Sequence, residues 1–350
     1  MIKIIKMKRI FYIICLFSVL ASCTSQDIEF DDYAFQGVYF PYQTPLRTLI
    51  LGDEVIGDNT IDREHAFSIG ASIGGMYANT QNREISIELA SELALNITDD
   101  DGNQLEILPS NYYSATFDKL IIPAGSFMGK LRIDLTDAFF QDSLTTGLHY
   151  VIPVRMTDVV GDTILSGLAK STVDSPDPRI SGDWSIVPKN YVLFGIKYIN
   201  PTHGVYLLRG KRTNIADPLD NYVYSKPFID DNDMTKLTTR SLTDNYMSTI
   251  GGSNLESADA RYQMVLSFNE ENKSVTVSQK DASTVVASGT GSYYSKDDAN
   301  AESYNGKKHR TIYLDYTYED GGSTYQVNDS LVFVDTDIKF EDFSVDVLIP

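Results

Sequence analysis

Cysteine is scarce in this 350-residue chain: there are two, Cys15 and Cys23, both near the N-terminus. The remainder therefore has no disulfide and no thiolate-bound metal. Tryptophan occurs once, at Trp184, and histidine four times, at His65, His149, His203 and His309. No two histidines stand at metal-ligand spacing and His-Glu-x-x-His is missing, which removes the zinc sites a sequence can reveal. Basic residues are outnumbered, with 29 Lys and Arg against 48 Asp and Glu and a net charge of −19. A surface of that sign repels phosphate backbones, so a nucleic-acid partner is disfavoured, and so are strongly acidic polysaccharides unless a local basic patch overrides the average. Beyond the N-terminus no run is long and apolar enough to span a bilayer as a helix.

What is present begins with the leader. Lys3, Lys6, Lys8 and Arg9 precede an apolar run, Ile10 to Leu20, and then Leu20-Ala21-Ser22-Cys23. A charged start, a short apolar core and small residues before a cut make a signal peptide over residues 1–22. The cut site resembles the bacterial lipobox, which makes Cys23 the lipidation site and gives a palmitate-type membrane anchor without a spanning helix. Loss of the four leader cations takes the net charge from −19 to −23. Asp27, Glu29, Asp31 and Asp32 follow the cysteine, an acidic tether over 23–33. Acids at this place resemble the surface-export signal of Bacteroidetes lipoproteins, which implies an outer-membrane protein facing the cell exterior.

The rest reads as all-β. Ile85, Ile87 and Leu89 alternate with Glu84, Ser86 and Glu88, and Leu131, Ile133 and Leu135 with Lys130, Arg132 and Asp134. Such period-two runs, parted by Asp101-Gly102, Pro123-Ala124-Gly125 and Gly161-Asp162, predict a β-sandwich over 34–172. The stretch from Asp137 to Leu144 suits a short helix. Asp174-Ser175-Pro176-Asp177-Pro178 disfavours helix and central strand, so a linker is expected at 173–182. Three hairpins are expected beyond it: 191–199 with 204–210 around Asn200-Pro201-Thr202-His203, 261–268 with 274–280, and 311–318 with 324–334. They predict an antiparallel, barrel-like (lipocalin-like) domain over 183–350. Trp184 is expected to plug the start of that domain.

Several stretches carry a resemblance. Val38-Tyr39-Phe40-Pro41-Tyr42-Gln43, Phe67 to Gly75, Asn111-Tyr112-Tyr113, Ile121 to Gly125, Tyr150 to Pro153 and Ile164 to Gly167 resemble a Bacteroides lipoprotein sandwich domain of unassigned function. That domain also stands ahead of secreted endoglycosidases. Phe194 to Asn200, His203 to Gly210 and Ile338 to Phe343 resemble its barrel-like C-terminal partner. The resemblance implies a surface glycan-binding lipoprotein of a polysaccharide utilisation locus, working beside an outer-membrane importer. A structural or adhesive protein and a glycosidase accessory component are the alternatives.

Carbohydrate binding requires flat aromatic faces and a few hydroxyl partners. The polar segment from Gly291 to Arg310 is long for a connection. It supplies Tyr293, Tyr294, Tyr304, Asn305 and Lys307 as candidate glycan contacts, and Tyr222 and Tyr246 stand in similar surroundings. No catalytic residue and no cofactor is assigned. Asp99-Asp100-Asp101-Gly102-Asn103 fails the calcium-loop spacing because Ile97 stands where the first aspartate belongs, and Asp230 to Asp233 suits a solvated loop.

Overall fold

The computed structural model describes residues 32–53, 57–253, 262–280, 283–338 and 341–348. The leader and Cys23 lie outside them. Among the described residues no helix is long and apolar enough to cross a membrane.

The first half is a sandwich of two sheets. Its principal strands are β1 (Gly37–Tyr39), β2 (Pro45–Ile50), β3 (Ala66–Gly74), β4 (Arg83–Leu89), β5 (Lys119–Ile122), β6 (Met128–Leu135), β7 (Tyr150–Val159) and β8 (Tyr191–Ile199). One sheet runs in the order 163–164, β1, β3, β6, 113–114. The other runs 341–342, β2, β8, β7, β4, β5. Alternation decides which side chains meet between them. Phe67, Ile69, Ala71 and Ile73 of β3 face Ile152, Val154 and Met156 of β7 and Val192, Phe194, Ile196 and Tyr198 of β8 in one buried cluster. Each buried Val, Ile, Met or Phe among them contributes roughly 1.5–3 kcal/mol. The expected helix is present at Asp137–Gln141, followed by a tight turn, Ser143–Thr146, capped by the Asp142 carboxylate. Asp101-Gly102 forms the expected turn, with the Asp99 carboxylate accepting from the amides of Asp101 and Asn103.

The hairpin expected between 191–199 and 204–210 does not form. Strand β8 pairs antiparallel with β7 and parallel with β2, in the middle of the second sandwich sheet. The run Tyr-Val-Leu-Phe-Gly-Ile-Lys-Tyr-Ile is buried on both faces, which suits a covered central strand and not a barrel wall with one wet side. Its outward side chains Tyr191 and Leu193 join Leu93, Ile97, Leu105 and Phe343 in a second cluster. The proline segment is likewise held to the sandwich, since the Arg179 guanidinium donates to the carbonyls of Leu93 and Leu95 and the Tyr191 hydroxyl donates to that of Pro178. Trp184 sits there too, its indole N–H donating to the Asp177 carbonyl. The passage from sandwich to barrel thus falls at Asn200–His203 and not at 173–182. The chain end returns as well: 341–342 pairs with β2 and 346–347 with 97–98.

The barrel is closed by eight antiparallel strands: β9 (Gly204–Asn214), β11 (Asp233–Thr239), β12 (Asp244–Met247), β13 (Met264–Asn269), β14 (Ser274–Gln279), β15 (Val286–Tyr294), β16 (Thr311–Asp320) and β17 (Ser323–Asp335). β17 pairs back onto β9 from Val205↔Asp335 to Asn214↔Tyr325. β10 (Tyr222–Tyr224) lies beside β9, outside the ring. The other two expected hairpins are β13–β14 and β16–β17. Tyr206, Leu208, Met264, Leu266, Ile312, Leu314, Val327 and Leu331 fill the interior. Asn200 joins the halves: its amide donates to the carbonyls of Ser241 and Asp244, and its own N–H to the Thr239 hydroxyl.

Candidate functional site

The seven residues singled out from sequence scatter over the barrel. Tyr293 points inward and meets Phe268 edge-on, with ring centres 5.8 Å apart. Tyr294 is on the outer wall, 6.0 Å from Tyr313. Tyr304 lies stacked on His309 at 3.9 Å, and its hydroxyl donates to the Phe333 carbonyl. Asn305, with φ of 50°, and Gly306, with φ of 74°, form the two-residue turn between 303–304 and 307–308, on which Lys307 is exposed. Tyr222 borders the barrel end, with Arg212 over its ring at 5.6 Å. Tyr246 is half-buried between Arg240 and Lys280. No single surface gathers these rings.

An aromatic groove is present instead on the outer face of the sandwich. Along β1 and the residue after it, the side chains of Val38 and Phe40 are buried in the core, so the odd positions Gly37 and Tyr39 face out. Upstream, Tyr33 is 76% and Phe35 is 56% exposed. The amide of Tyr33 donates to the Gly75 carbonyl at 2.9 Å, which fixes this run beside β3. Gly37 pairs with Gly74, so two adjacent strands meet with no side chain between them. Together Tyr33, Phe35, Tyr39, Gly74, Gly75, Leu165 and Lys189 line a cavity of about 430 Å³. Backbone bonds hold its far wall, because Phe40 N–H donates to the Lys189 carbonyl and Lys189 N–H to that of Leu165, both at 2.8 Å.

The floor explains why the groove stays open. A Cβ added at Gly74 would meet nothing closer than the Tyr39 ring edge at 3.9 Å, so that space is free. Gly75 has φ of +89°, and a Cβ there would lie 2.7 Å from the Phe35 carbonyl oxygen. Lys189 places its ammonium 5.9 Å from the Tyr39 ring centre, a donor at the rim of an otherwise apolar slot. No Asp or Glu is among the lining residues. Flat faces spaced by a glycine floor, with one amine at the edge, suit the C–H face of a sugar ring with a hydroxyl turned to the lysine.

Sequence reasoning passed over this groove, although a signal was present. Tyr33, Phe35, Gly37 and Tyr39 stand two residues apart, a row that an extended chain shows on one face. The expectation that no nucleophile-elbow Gly-x-Ser-x-Gly is present is also corrected at the level of pattern, since Gly70-Ala71-Ser72-Ile73-Gly74 is one. Ser72 lies within β3, buried and paired with Tyr39 and Met128, so it is not the exposed strand-to-helix serine that this motif serves in hydrolases.

Residues 31–163 match a family described as a "-like, N-terminal domain", and residues 201–337 match a domain of unknown function, DUF5627. The start of the second range at 201 agrees with a passage at Asn200–His203. Among solved structures, a Bacteroides ovatus protein of unknown function is 34% identical, with 91% of this chain and 100% of that one covered and a TM-score of 0.80. A second B. ovatus protein of unknown function is 17% identical, covers 88% and 98%, and has a TM-score of 0.43. An auxiliary nutrient binding protein from Bacteroides thetaiotaomicron is 15% identical, covers 76% and 82%, and has a TM-score of 0.34. The last two likenesses are too low to bear on fold or function here. No curated protein matches the chain.

Proposed function

Given that this chain belongs to the family of the B. ovatus protein with which it shares 34% identity, we propose that it is a glycan-binding protein of the bacterial surface. In this reading acylated Cys23 holds it on the outer membrane, and it captures oligo- or polysaccharide for an importer in that membrane. The observation that carries the reading is the glycine-floored groove between Tyr33, Phe35 and Tyr39. In this reading the groove binds and does not hydrolyse: glycoside hydrolysis uses two carboxyl groups across the sugar, and the groove is lined by aromatic rings, glycine, a leucine and a lysine. No metal or cofactor enters, because stacking and hydroxyl hydrogen bonds need neither.

The test is affinity electrophoresis and calorimetry of the intact protein against a polysaccharide panel, alongside Gly74→Leu and Tyr39→Ala. Leucine at 74 has ordinary strand geometry and open space for its Cβ, so the melting temperature should stay within about 3 °C while binding is lost. Tyr39→Ala should weaken binding by about tenfold, the worth of one stacked ring. Folded wild type that retains no glycan, or Gly74→Leu that binds as wild type does, would overturn the reading. A protein partner bound at the groove in its place would mark the adhesive alternative.

A further inference from the structure

A second cleft, of about 350 Å³, lies on the outer wall of the barrel, lined from β9, β16 and β17 and from the segment of β10. Its chemistry differs from that of the groove. Outward positions on neighbouring strands stand in register, Tyr313 opposite Ser330 opposite Arg209 in one row, and Asn328 opposite Lys211 opposite Val223 in the next. The first row is already satisfied. Arg209 is paired with Glu302, and Glu302 also accepts from the Tyr313 hydroxyl at 3.1 Å and the Ser330 hydroxyl at 2.9 Å. The Tyr313 phenol, pushed up to about 12 by burial and by Glu302, stays protonated and keeps donating.

The second row is open to solvent. The side chains of Lys211, Asn328 and Ser225 line the same cleft, are exposed, and make no hydrogen bond or ion pair with another described residue. All three can donate: an ammonium, an amide and a hydroxyl. With Arg209 neutralised by Glu302, Lys211 is the lining cation left without an anion. Asp329 lines the cleft through its backbone only, since its carboxyl group is bonded to Tyr224 and Tyr316 inside the barrel. Asp315 stands opposite Asn328 at the far end of this row, on the side away from Lys211, and its carboxylate accepts from Gln326.

We propose that this cleft is a second binding site, for the carboxylate of an acidic sugar such as a hexuronate, held by Lys211, Asn328 and Ser225. Two donors on paired strands and a hydroxyl beside them give a planar anion several charge-assisted bonds at once. The cleft thereby selects among glycans by charge, against the strongly acidic average of the molecule, while the groove selects by ring shape. This inference goes beyond the groove but rests on the chain being a glycan binder.

Calorimetry of the intact protein with trigalacturonate, with its carboxyl-reduced neutral counterpart and with a sulfated trisaccharide tests it. Trigalacturonate should bind, lose affinity in about 0.5 M salt, where screening reaches a few Å, and be weakened about tenfold or more by Lys211→Met and several-fold by Asn328→Ala. Gly74→Leu should leave that binding unchanged. Lys211 is exposed, so its removal does not endanger the fold. Equal binding of the neutral counterpart by Gly74→Leu, in which the groove is filled, or trigalacturonate affinity indifferent to Lys211→Met, overturns the proposal. So does a sulfated ligand that depends on Lys211 when the uronate does not. Where one of these results is found while neutral glycans still bind wild type and are lost in Gly74→Leu, the acidic-sugar site alone falls. If no glycan binds at all, both readings fall.

Discussion

Asp329 points into the barrel, where the hydroxyls of Tyr224 and Tyr316 both reach its carboxyl group. Burial raises its pKa from 3.8 to about 7, against the pull of the two phenol hydrogen bonds. Between about pH 4 and pH 7 the folded state keeps a proton that the unfolded chain has lost. Stability therefore declines as pH rises through that window, by up to about 4 kcal/mol. His203 works the other way. Its Nδ1 accepts from the Thr239 amide at 3.0 Å, and burial lowers its pKa from 6.5 to about 4, so acid favours the unfolded state as pH falls through that range. The two slopes oppose each other over about pH 4 to 6.5, so urea midpoints of the wild type should be nearly level there and fall between about pH 6.5 and 7. Asp329→Asn, which cannot ionise, should remove the decline toward neutral pH and leave the acid-side decline in place. Parallel curves for the two proteins would count against this account.

At the scale of elements, the tightest approach to neighbouring backbone in the barrel wall is made by β15. A Cβ at Gly289 would lie 2.4 Å from the Asp315 carbonyl oxygen, and one at Gly291 would lie 2.3 Å from that of Tyr313. Both contacts are with backbone of β16, which cannot move aside without breaking its pairing with β17. These glycines let the sheet curl enough to close. Gly291→Ala should cost roughly 2 kcal/mol, as other forced overpacking does, and chemical denaturation monitored by tyrosine fluorescence would read it. An unchanged midpoint would mean that the strands can separate there without penalty. β8 makes the opposite point. Its sequence would serve as the wall of either half, and burial on both faces assigns it to the sandwich.

On the scale of the whole molecule, the halves are interleaved in sequence. The chain builds most of the sandwich, crosses at Asn200–His203, completes the barrel, and returns to lay 341–342 against β2. A fragment of residues 32–182 lacks β8 and leaves the partners of Phe67 and Ile152 open to water. It should aggregate or unfold without a cooperative transition, whereas 32–200 should unfold cooperatively, as gel filtration and urea titration would show. Cooperative folding of the shorter piece would restore a boundary at 173–182. Two clefts of different chemistry on one tethered molecule would let a branched or mixed glycan engage both, which multiplies weak single contacts.

The sequence by itself determined the strands, because period-two alternation is a local property: Ile85-Ser86-Ile87 and Leu131-Arg132-Ile133 could not face one core in any other way. It also determined the hairpins of β13–β14 and β16–β17, whose partners are neighbours along the chain. Which sheet a strand joins was decided only in three dimensions. Asn200-Pro201-Thr202-His203 reads as a turn, but the Asn200 amide finds its carbonyls more than forty residues away. The binding surface was decided there as well. A tyrosine in a polar stretch looks the same in sequence whether its ring lies on a histidine, as Tyr304 does, or stands free beside a glycine floor, as Tyr33 does. Exposure is a property of what packs nearby, and distant parts of the chain supply that.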